Sequence, residues 1–375
     1  MLKYNSSIEK VKNEKSTKAD YVYLNINILN TKQGQSFFGN NPKIDYNESL
    51  QNSIIDNPSE YVLYISRFGC DCGLLLPIWS PEIIDNQSNP NLCIYALTMT
   101  TTINGVLYTT TQNMIYQPEN QINPPATTDL YNDVKHYYYV YSFSHVAYLF
   151  NAMLQSCYTD LQTQAGLTFS CICPFMSYDA SSSLYSLYFD TTGQQFNLYF
   201  DNNLYNMFYS FYFRNTNQLV IDTNNGLNNI IINGKTLIKI TQDFNSSSMW
   251  SPVSNLVFTT SKIPIRQEQN TEPLSIYDDT NMDSQGSYPQ QLKKIITDFS
   301  IPYDKASDCR NFISYTPSFP RYINLNSIEE LKDIDISLWF QDKKSGQLIP
   351  VLLPNGGSVN LKLCFKRKKD RKSVV

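Results

Sequence analysis

Four of the eight cysteines form two C-x-C pairs, Cys70/Cys72 and Cys171/Cys173, and their spacing makes them candidates for a chemical site. Residues i and i+2 of a strand point to the same face, so two adjacent strands could bring four thiols around Zn²⁺ or into disulfides. Structural zinc sites more often have two to four residues between paired ligands. The alternative is that reduced cysteines act as small apolar side chains, and we predict no metal site.

The rest of the sequence contains little that could carry catalysis. The two histidines, His136 and His145, leave few partners for a triad or a histidine metal centre. There is no glycine-rich phosphate loop and no nucleophile elbow, and no pair of carboxylates is singled out by its position. We therefore predict no catalytic residues, no cofactor and no enzymatic activity. A glycoside hydrolase on a β-sandwich is the alternative, since it would need only two carboxylates in a cleft.

Basic residues are concentrated at the two ends of the chain. The C-terminal segment carries six bases against one acid, and these bases are Lys366, Arg367, Lys368, Lys369, Arg371 and Lys372. The first 18 residues are also lysine-rich, and the remaining 18 bases and 30 acids leave the body near −12 although the whole chain is only −4. A basic tail on an acidic body is typical of contact with nucleic acid or an acidic neighbour, and the alternative is a solvated terminus.

Tyrosine is abundant, with 28 residues, and part of this excess lies in the stretch 136–141. Tyrosine offers a large contact area at low entropic cost and is favoured at protein interfaces. We predict that some aromatic side chains contact another subunit, and the candidates are Tyr137, Tyr138, Tyr139 and Trp339. The alternative is that these rings simply fill the core.

The elements that position these residues are mostly strands. Alternating apolar residues predict a half-buried strand over 21–30, and Asn104-Gly105 and Asn233-Gly234 each predict a hairpin turn. The last 40 residues predict three antiparallel strands joined by tight turns, over 333–340, 348–353 and 358–365. Strands are also expected at 74–79 and 168–174, and residues 204–213 fit either a short helix or a strand.

One segment has helical periodicity, with Ser142 placed to cap its start and Gly166 its end. The predicted fold class is therefore all-β, an antiparallel jelly-roll-type sandwich with a helical insertion. Residues 1–20 are expected to be a flexible basic arm, residues 21–365 the β domain, and residues 366–375 a basic tail. The inserted helix lies near 142–165 and a polar loop covers 264–290. No run of about 18 apolar residues occurs, so no membrane span is predicted.

Three stretches resemble the minor capsid (penton-type) proteins of virophages, Polintons and Polinton-like viruses. The first runs Asp335-x-x-x-Trp339-x-x-Asp342, then Gly346, Ile349-Pro350, Leu353-Pro354, Gly357, Leu361-Lys362 and Phe365, followed by basic residues. The second is Tyr137-Tyr-Tyr-Val-Tyr-Ser-Phe-Ser-His145 leading into the predicted helix. The third is Asn57-Pro58-Ser-Glu-Tyr61 ahead of a strand that ends Ser66-Arg67-Phe68. Together these stretches touch about a quarter of the chain.

This resemblance implies a jelly-roll structural protein of an icosahedral capsid, a minor capsid or penton component, with no enzymatic activity. It implies a homo-oligomer, with a pentamer as the candidate ring, that contacts other capsid proteins. The basic tail would face packaged DNA or a neighbouring subunit. The protein is expected in the virion after assembly in the host cytoplasm. A carbohydrate- or receptor-binding sandwich is the alternative function, with Trp79 and Trp250 stacking on sugar rings.

Overall fold

The structure is a computed structural model of the chain, and the residues it describes are 2–12, 18–31, 42–71, 76–84, 87–119, 136–190, 192–215, 219–221, 228–232, 235–266, 274–275, 290–291, 293–300 and 312–368. Strands dominate these residues. In chain order the strands are β1 Leu2–Val11, β2 Tyr21–Asn30, β3 Asp45–Ser49, β4 Tyr61–Asp71, β5 Leu92–Ile103, β6 Val106–Ile115, β7 Phe175–Asp179, β8 Leu184–Asp190, β9 Asn197–Phe200, β10 Phe213–Asn215, β11 Leu219–Ile221, β12 Asn228–Ile232, β13 Lys235–Thr241, β14 Val253–Thr260, β15 Leu274–Ser275, β16 Gln290–Gln291, β17 Lys294–Ser300, β18 Phe312–Tyr315, β19 Ile323–Asn324, β20 Asp333–Asp342, β21 Leu348–Pro350 and β22 Ser358–Arg367. The two α-helices of these residues are α1 Phe143–Ala165 and α2 Asn202–Phe208.

The chain forms two compact units. Unit 1 combines Met1–Leu76 with Val253–Val375, and unit 2 is the continuous segment Pro77–Pro252. The segment 21–365, which the sequence predicts as one β domain, therefore contains all of unit 2 between the two parts of unit 1. No described helix is both long and apolar enough to cross a membrane.

Unit 1 is a sandwich of two antiparallel sheets, and it also contains the short two-stranded sheet β15-β16. One sheet has the order β1-β2-β22-β4-β18, with β19 also on β4, and the other has the order β17-β14-β20-β21, with β3 also on β20. The predicted alternation in β2 is confirmed, because Val22, Leu24, Ile26 and Ile28 are buried. Phe68 of β4 meets Phe258 of β14 edge to face, with ring centroids 5.1 Å apart, so aromatic rings join the two sheets.

The last three predicted strands exist, but they do not form one meander. β21 pairs with β20, whereas β22 lies in the opposite sheet between β2 and β4. The segment after Pro354 therefore crosses from one sheet to the other. Short-range alternation predicts each strand, but it cannot show which distant strand provides the partner.

The N-terminal residues differ from the predicted flexible arm. Residues Leu2–Val11 form β1 and pair antiparallel with β2 in an unbroken register from Leu2↔Asn30 to Val11↔Tyr21. β1 lies at one edge of its sheet, and its side chains are mostly exposed. A strand with two exposed faces carries no alternating apolar pattern, which is why its lysine-rich sequence suggests an arm instead.

Unit 2 contains two sheets, β10-β11-β9-β5-β6 and β12-β13-β8-β7, with α1 packed against β5, β6 and β7. The predicted helix is confirmed with both caps. Ser142 Oγ accepts from the backbone N–H of His145 at 3.1 Å, and Gly166 ends the helix in the left-handed conformation with φ 61°. The apolar face of α1 is buried, as Phe150 illustrates by its contact with Phe200 and Phe208.

The other local predictions in unit 2 have mixed outcomes. Asn104 and Gly105 both have positive φ, 51° and 80°, as a type I′ turn between β5 and β6 requires. Strands β12 and β13 also pair as predicted, although their turn lies outside the described residues. Residues 168–174 form no strand, and residues 204–213 contain most of α2 and the first residue of β10. Of residues 74–79, the described part forms only a bridge at Trp79, and the polar loop 264–290 is mostly outside the described residues.

Candidate assembly surfaces

Asp335 of β20 is a buried carboxylate that holds the turn after β14. Its oxygens accept hydrogen bonds from the Thr260 and Ser261 hydroxyls and from the backbone N–H groups of Ser261 and Lys262, both at 2.7 Å. Burial opposes ionisation of Asp335, but these hydrogen bonds together outweigh it and lower the pKa. The first residue of the resemblance motif is therefore a structural clamp within unit 1.

The next two residues of that motif are also engaged inside unit 1. The Trp339 indole N–H donates to Thr259 Oγ1 at 2.7 Å, and the ring is buried beside Val257 and Leu348. Asp342 Oδ2 accepts from the backbone N–H of Ser345 at 2.7 Å and from that of Lys344 at 3.0 Å, which fixes the turn between β20 and β21. Trp339 thus lies in the interior of unit 1. The prediction that its side chain contacts another subunit is therefore wrong.

The Asn57–Tyr61 motif joins the two ends of the chain. Residues Pro58–Glu60 form a 3-10 turn, and Glu60 accepts from Lys18 Nζ at 2.5 Å and lies 3.7 Å from Arg367 Nε. Lys368 Nζ donates to the Ser59 carbonyl at 2.8 Å. The hydrogen bond from Lys18 lowers the pKa of Glu60 despite a smaller opposing effect of burial. We call Lys18, Ser59, Glu60, Arg367 and Lys368 the terminal clasp.

The first three residues of the predicted basic tail, Lys366 to Lys368, are therefore part of the folded unit 1. Lys366 and Arg367 belong to β22, and Lys368 follows it within the terminal clasp. The remaining predicted contact residues, Lys369, Arg371 and Lys372, lie outside the described residues. Lys366 and Arg367 are ordered because the pairing of β22 with β2 and β4 continues to these basic residues.

Lysines also lie against tyrosine rings on the sheet that contains β22. Lys362 Nζ lies 4.4 Å from the Tyr23 ring centroid, and Lys366 Nζ lies 5.8 Å from that of Tyr21 and 5.3 Å from that of Tyr322. Tyr21 and Tyr23 stack with parallel rings. We call Tyr21, Tyr23, Tyr322, Lys362 and Lys366 the Tyr–Lys face. Composition alone could not predict it, because the tyrosines and lysines come from three separate chain segments.

The tyrosines of the second resemblance motif are buried in unit 2. Tyr137, Tyr138 and Tyr139 are all in the interior. The Tyr138 hydroxyl donates to the Pro90 carbonyl at 2.7 Å. The Tyr116 hydroxyl donates to the backbone carbonyl of Tyr137 at 2.6 Å. These rings therefore fill the core instead of serving as the predicted subunit contacts.

The remaining candidates for chemistry are held within unit 2. His145 Nε2 lies 2.6 Å from the Gln117 carbonyl, and its ring stacks on Tyr148 beside the start of α1. Trp79 is buried, and Trp250 is half-buried with its indole N–H donating to the Met207 carbonyl at 3.2 Å. Because the Trp79 ring is buried, a sugar ring cannot stack on it.

The structure describes three of the four cysteines of the two C-x-C pairs. Cys70 is buried in β4 of unit 1, Cys72 lies outside the described residues, and Cys171 and Cys173 occupy the connection after α1 instead of a strand. Burial raises the pKa of the Cys173 thiol to about 12. Among the described residues no group of three or more His, Cys, Asp or Glu side chains could hold a metal ion.

Asp179 and Asp190 have strongly lowered pKa values because they accept hydrogen bonds from residues of nearby turns. The hydroxyls of Ser182 and Ser181 lower the pKa of Asp179 to about 2. Burial opposes ionisation of Asp190, but hydrogen bonds from Thr192 and from the N–H of Ile172 outweigh it and lower its pKa to about 2. A general acid must hold a proton near neutral pH, so neither carboxylate is suited to that role.

Two apolar side chains of unit 1 stand almost completely in solvent. Phe319 is 94% exposed and Ile328 is 81% exposed, on the segment that flanks β19. Single exposed apolar residues are common, but exposure this complete leaves a large apolar area available to another protein. Neither residue was predicted from the sequence; the signal that could have found Phe319 is its place between Pro317 and Pro320, which is typical of a loop.

The comparisons with known proteins agree with this architecture. The family described as Sputnik minor capsid protein V18/19 matches residues 22–367. A chain in the cryo-EM structure of the Sputnik virophage has a TM-score of 0.70 and 21% identity, covering 94% of this chain and 99% of its own. The crystal structure of the mavirus penton protein has a TM-score of 0.57 and 16% identity, covering 93% of this chain and 99% of its own.

No curated protein matches the chain. Because the two structures are less than 25% identical to it, their likeness concerns the fold and confirms a mostly β architecture of antiparallel sheets forming a sandwich. The family match covers far more than half of the sequence and also confirms the predicted capsid role in the virion and the absence of an enzymatic one. The chain therefore belongs to the Sputnik minor capsid protein V18/19 family, whose members are capsid structural proteins.

Proposed function

We propose that this protein is a vertex component of an icosahedral capsid and that it assembles as a pentamer in contact with other capsid proteins. The observation that carries the proposal is the likeness to the mavirus penton protein over 93% of the chain. A penton occupies a five-fold position, and identical chains that use two complementary surfaces form a closed ring when the rotation from one chain to the next closes. We place this assembly in the host cytoplasm.

The exposed side chains of Phe319 and Ile328 are the proposed contact points between copies. Burial of a large apolar side chain is worth roughly 2 kcal/mol, and a ring repeats the gain at every subunit boundary. Replacing both with serine should weaken the ring with little change in monomer stability, because neither side chain is packed in its own chain. Leu107, exposed at the β5–β6 hairpin of unit 2, provides a matched exposed apolar control.

Light scattering during size-exclusion chromatography tests both statements. The wild-type chain should elute with a mass five times the 43.2 kDa of one chain, alone or after addition of the major capsid protein. Phe319→Ser/Ile328→Ser should shift the mass towards the monomer, whereas Leu107→Ser should not. A strict monomer under both conditions would contradict the pentamer, and an unaffected ring in the double variant would contradict the contact points.

The basic C-terminal segment is proposed to meet packaged DNA. Lys369, Arg371 and Lys372 extend a run of bases that begins with Lys366, and each base that pairs with a phosphate releases a condensed counterion. Binding should therefore weaken steeply as salt is raised. The alternative partner for this segment is an acidic surface of a neighbouring subunit.

A further inference from the structure

The two basic ends of the chain converge at one end of a single sheet. The backbone N–H of Asp20 donates to the Val11 carbonyl and that of Arg367 donates to the Asp20 carbonyl, both at 2.9 Å. The last residues of β1 and β22 therefore both flank the start of β2. This arrangement groups six bases that are far apart in sequence, which we call the basic sheet end: Lys10, Lys12, Lys18, Lys366, Arg367 and Lys368.

The lysines of the Tyr–Lys face extend the positive charge of the basic sheet end along the sheet. Lys366 belongs to both groups, and Lys362 lies four residues earlier on β22, over Tyr23. The alternating residues Val22 and Leu24 are buried in the sandwich, so the tyrosines lie on the opposite, outer face of β2. Contact with an aromatic ring restricts a lysine side chain, which reduces the entropy that it loses on binding an anion.

Carboxylates do not cancel this charge. Glu9 is the register partner of Tyr23 and lies beside the Tyr–Lys face. Asp20, Asp56 and Glu60 lie at the basic sheet end, and Glu60 is already paired with Lys18 and Arg367 in the terminal clasp. The region therefore has more bases than acids, although the whole chain has a net charge of −4. An anionic ligand would be attracted to this region and repelled by much of the remaining surface.

We propose that the basic sheet end and the Tyr–Lys face together bind the phosphate backbone of a nucleic acid without reading its base sequence. Lys362 and Lys366 lie on the outer face with the tyrosines, whereas Lys10, the register partner of Val22, lies on the other side of the same sheet end. The cations therefore surround this end of the sheet, where they can pair with successive phosphates of one strand. Tyr322 is half-exposed beside Lys366, so a base can stack on an aromatic ring next to a bound phosphate, which an acidic peptide cannot exploit. The inference rests on the proposed function and places the contact on the folded sheet as well as on the segment that follows it.

Fluorescence anisotropy with a labelled single-stranded DNA of mixed sequence, whose unpaired bases can stack on Tyr322, tests the inference on the full chain. Lys366→Gln should weaken binding about five-fold at 0.15 M salt, and Lys362→Gln/Lys366→Gln about 30-fold, with a salt slope smaller by about 1.4. Lys239→Gln is the matched control, because Lys239 also lies over a tyrosine ring, 5.9 Å from the Tyr188 centroid, but belongs to unit 2. This control should bind like the wild type.

Two results would overturn the inference. One is wild-type affinity in Lys362→Gln/Lys366→Gln while Lys369→Gln/Arg371→Gln/Lys372→Gln removes all binding, which would confine the contact to the last residues. The other is tighter binding of poly-glutamate than of DNA, which would favour an acidic protein partner. Light scattering on the same samples separates this inference from the assembly proposal, since the lysine variants should keep the mass of the wild type.

Discussion

Asp335 illustrates how one side chain can fix a connection between strands. It lies on β20, yet all the hydrogen bonds described above come from the turn that ends β14. A buried carboxylate is stable only when its oxygens are satisfied, and here hydroxyl and N–H donors supply this without a basic partner among these contacts. The residue is therefore expected to contribute to stability and not to subunit contact.

We predict that Asp335→Asn lowers the free energy of unfolding by about 3 kcal/mol at pH 7, because the amide NH₂ cannot accept the bonds that the carboxylate accepts. Since the folded-state pKa of Asp335 is lowered, its stabilisation is present above the unfolded-state pKa and is lost as pH falls through the folded-state value. Urea unfolding at pH 7 and again below pH 4 should show that the difference in the free energy of unfolding between wild type and variant becomes smaller in acid.

Asp333→Asn is the control for this prediction. Asp333 lies two residues earlier on the same strand and bonds the Ser49 hydroxyl, but it is exposed to solvent. An exposed polar pair contributes less than about 1 kcal/mol, so the control should unfold almost like the wild type. Equal losses in the two variants would contradict the role assigned to Asp335.

At the level of elements, α1 is defined by its ends as much as by its apolar face. The Ser142 hydroxyl accepts the His145 N–H at the start, and Gly166 donates its own N–H to carbonyls of the last turn. Both features can be recognised in sequence, since serine caps helix starts and glycine tolerates the left-handed conformation. The helix could therefore be predicted from the chain alone, including its approximate ends.

Ser142→Ala should lower the free energy of unfolding by about 1 kcal/mol, because it leaves the first-turn N–H of α1 without its side-chain acceptor. Ser156→Ala provides the control on the same helix, since the exposed Ser156 hydroxyl only bonds the carbonyl one turn earlier. Alanine is the better helix former at such a position, so that variant should be neutral or slightly stabilised. Thermal unfolding of both proteins measures the difference, and a larger loss in Ser156→Ala would contradict the capping role.

Other elements show where prediction from sequence stops. The β5–β6 hairpin could be predicted from Asn104-Gly105, because a type I′ turn requires positive φ at both central residues and these two residue types adopt it readily. The pairing of β22 with β2 and β4 depends on contacts between distant parts of the chain, which no local pattern encodes. The terminal clasp was missed for the same reason, because Lys18, Glu60 and Arg367 are neighbours only after the sheet has formed.

At the scale of the whole molecule, the two units differ in how the chain builds them. Unit 2 is one continuous segment, and the apolar cluster of α1, α2 and their sheets consists entirely of its residues. A continuous segment with its own core meets the usual conditions for independent folding. Unit 1 instead requires residues from both ends of the sequence.

We therefore predict that a fragment of residues 77–252 folds alone and unfolds cooperatively in urea. Phe150→Ala in the same fragment should destabilise it by about 3 to 5 kcal/mol, because Phe150 is fully buried against Phe200 and Phe208. Circular dichroism during urea titration gives both quantities. A fragment without a cooperative transition, or one insensitive to Phe150→Ala, would show that its core needs the rest of the chain.

The position of β22 has a consequence for the order of events during synthesis. β22, the last strand of the described residues, lies in the middle of its sheet, between two strands that are made much earlier. While the ribosome is still translating, β2 and β4 lack the neighbour that joins them, and their apolar faces remain available to chaperones or to wrong partners. Unit 2 can complete its core once residues 77–252 have been made, but unit 1 can close only after β22 has also been made. This sheet is thus finished only when β22 is present, and a product truncated before β22 would lack the strand that joins β2 to β4.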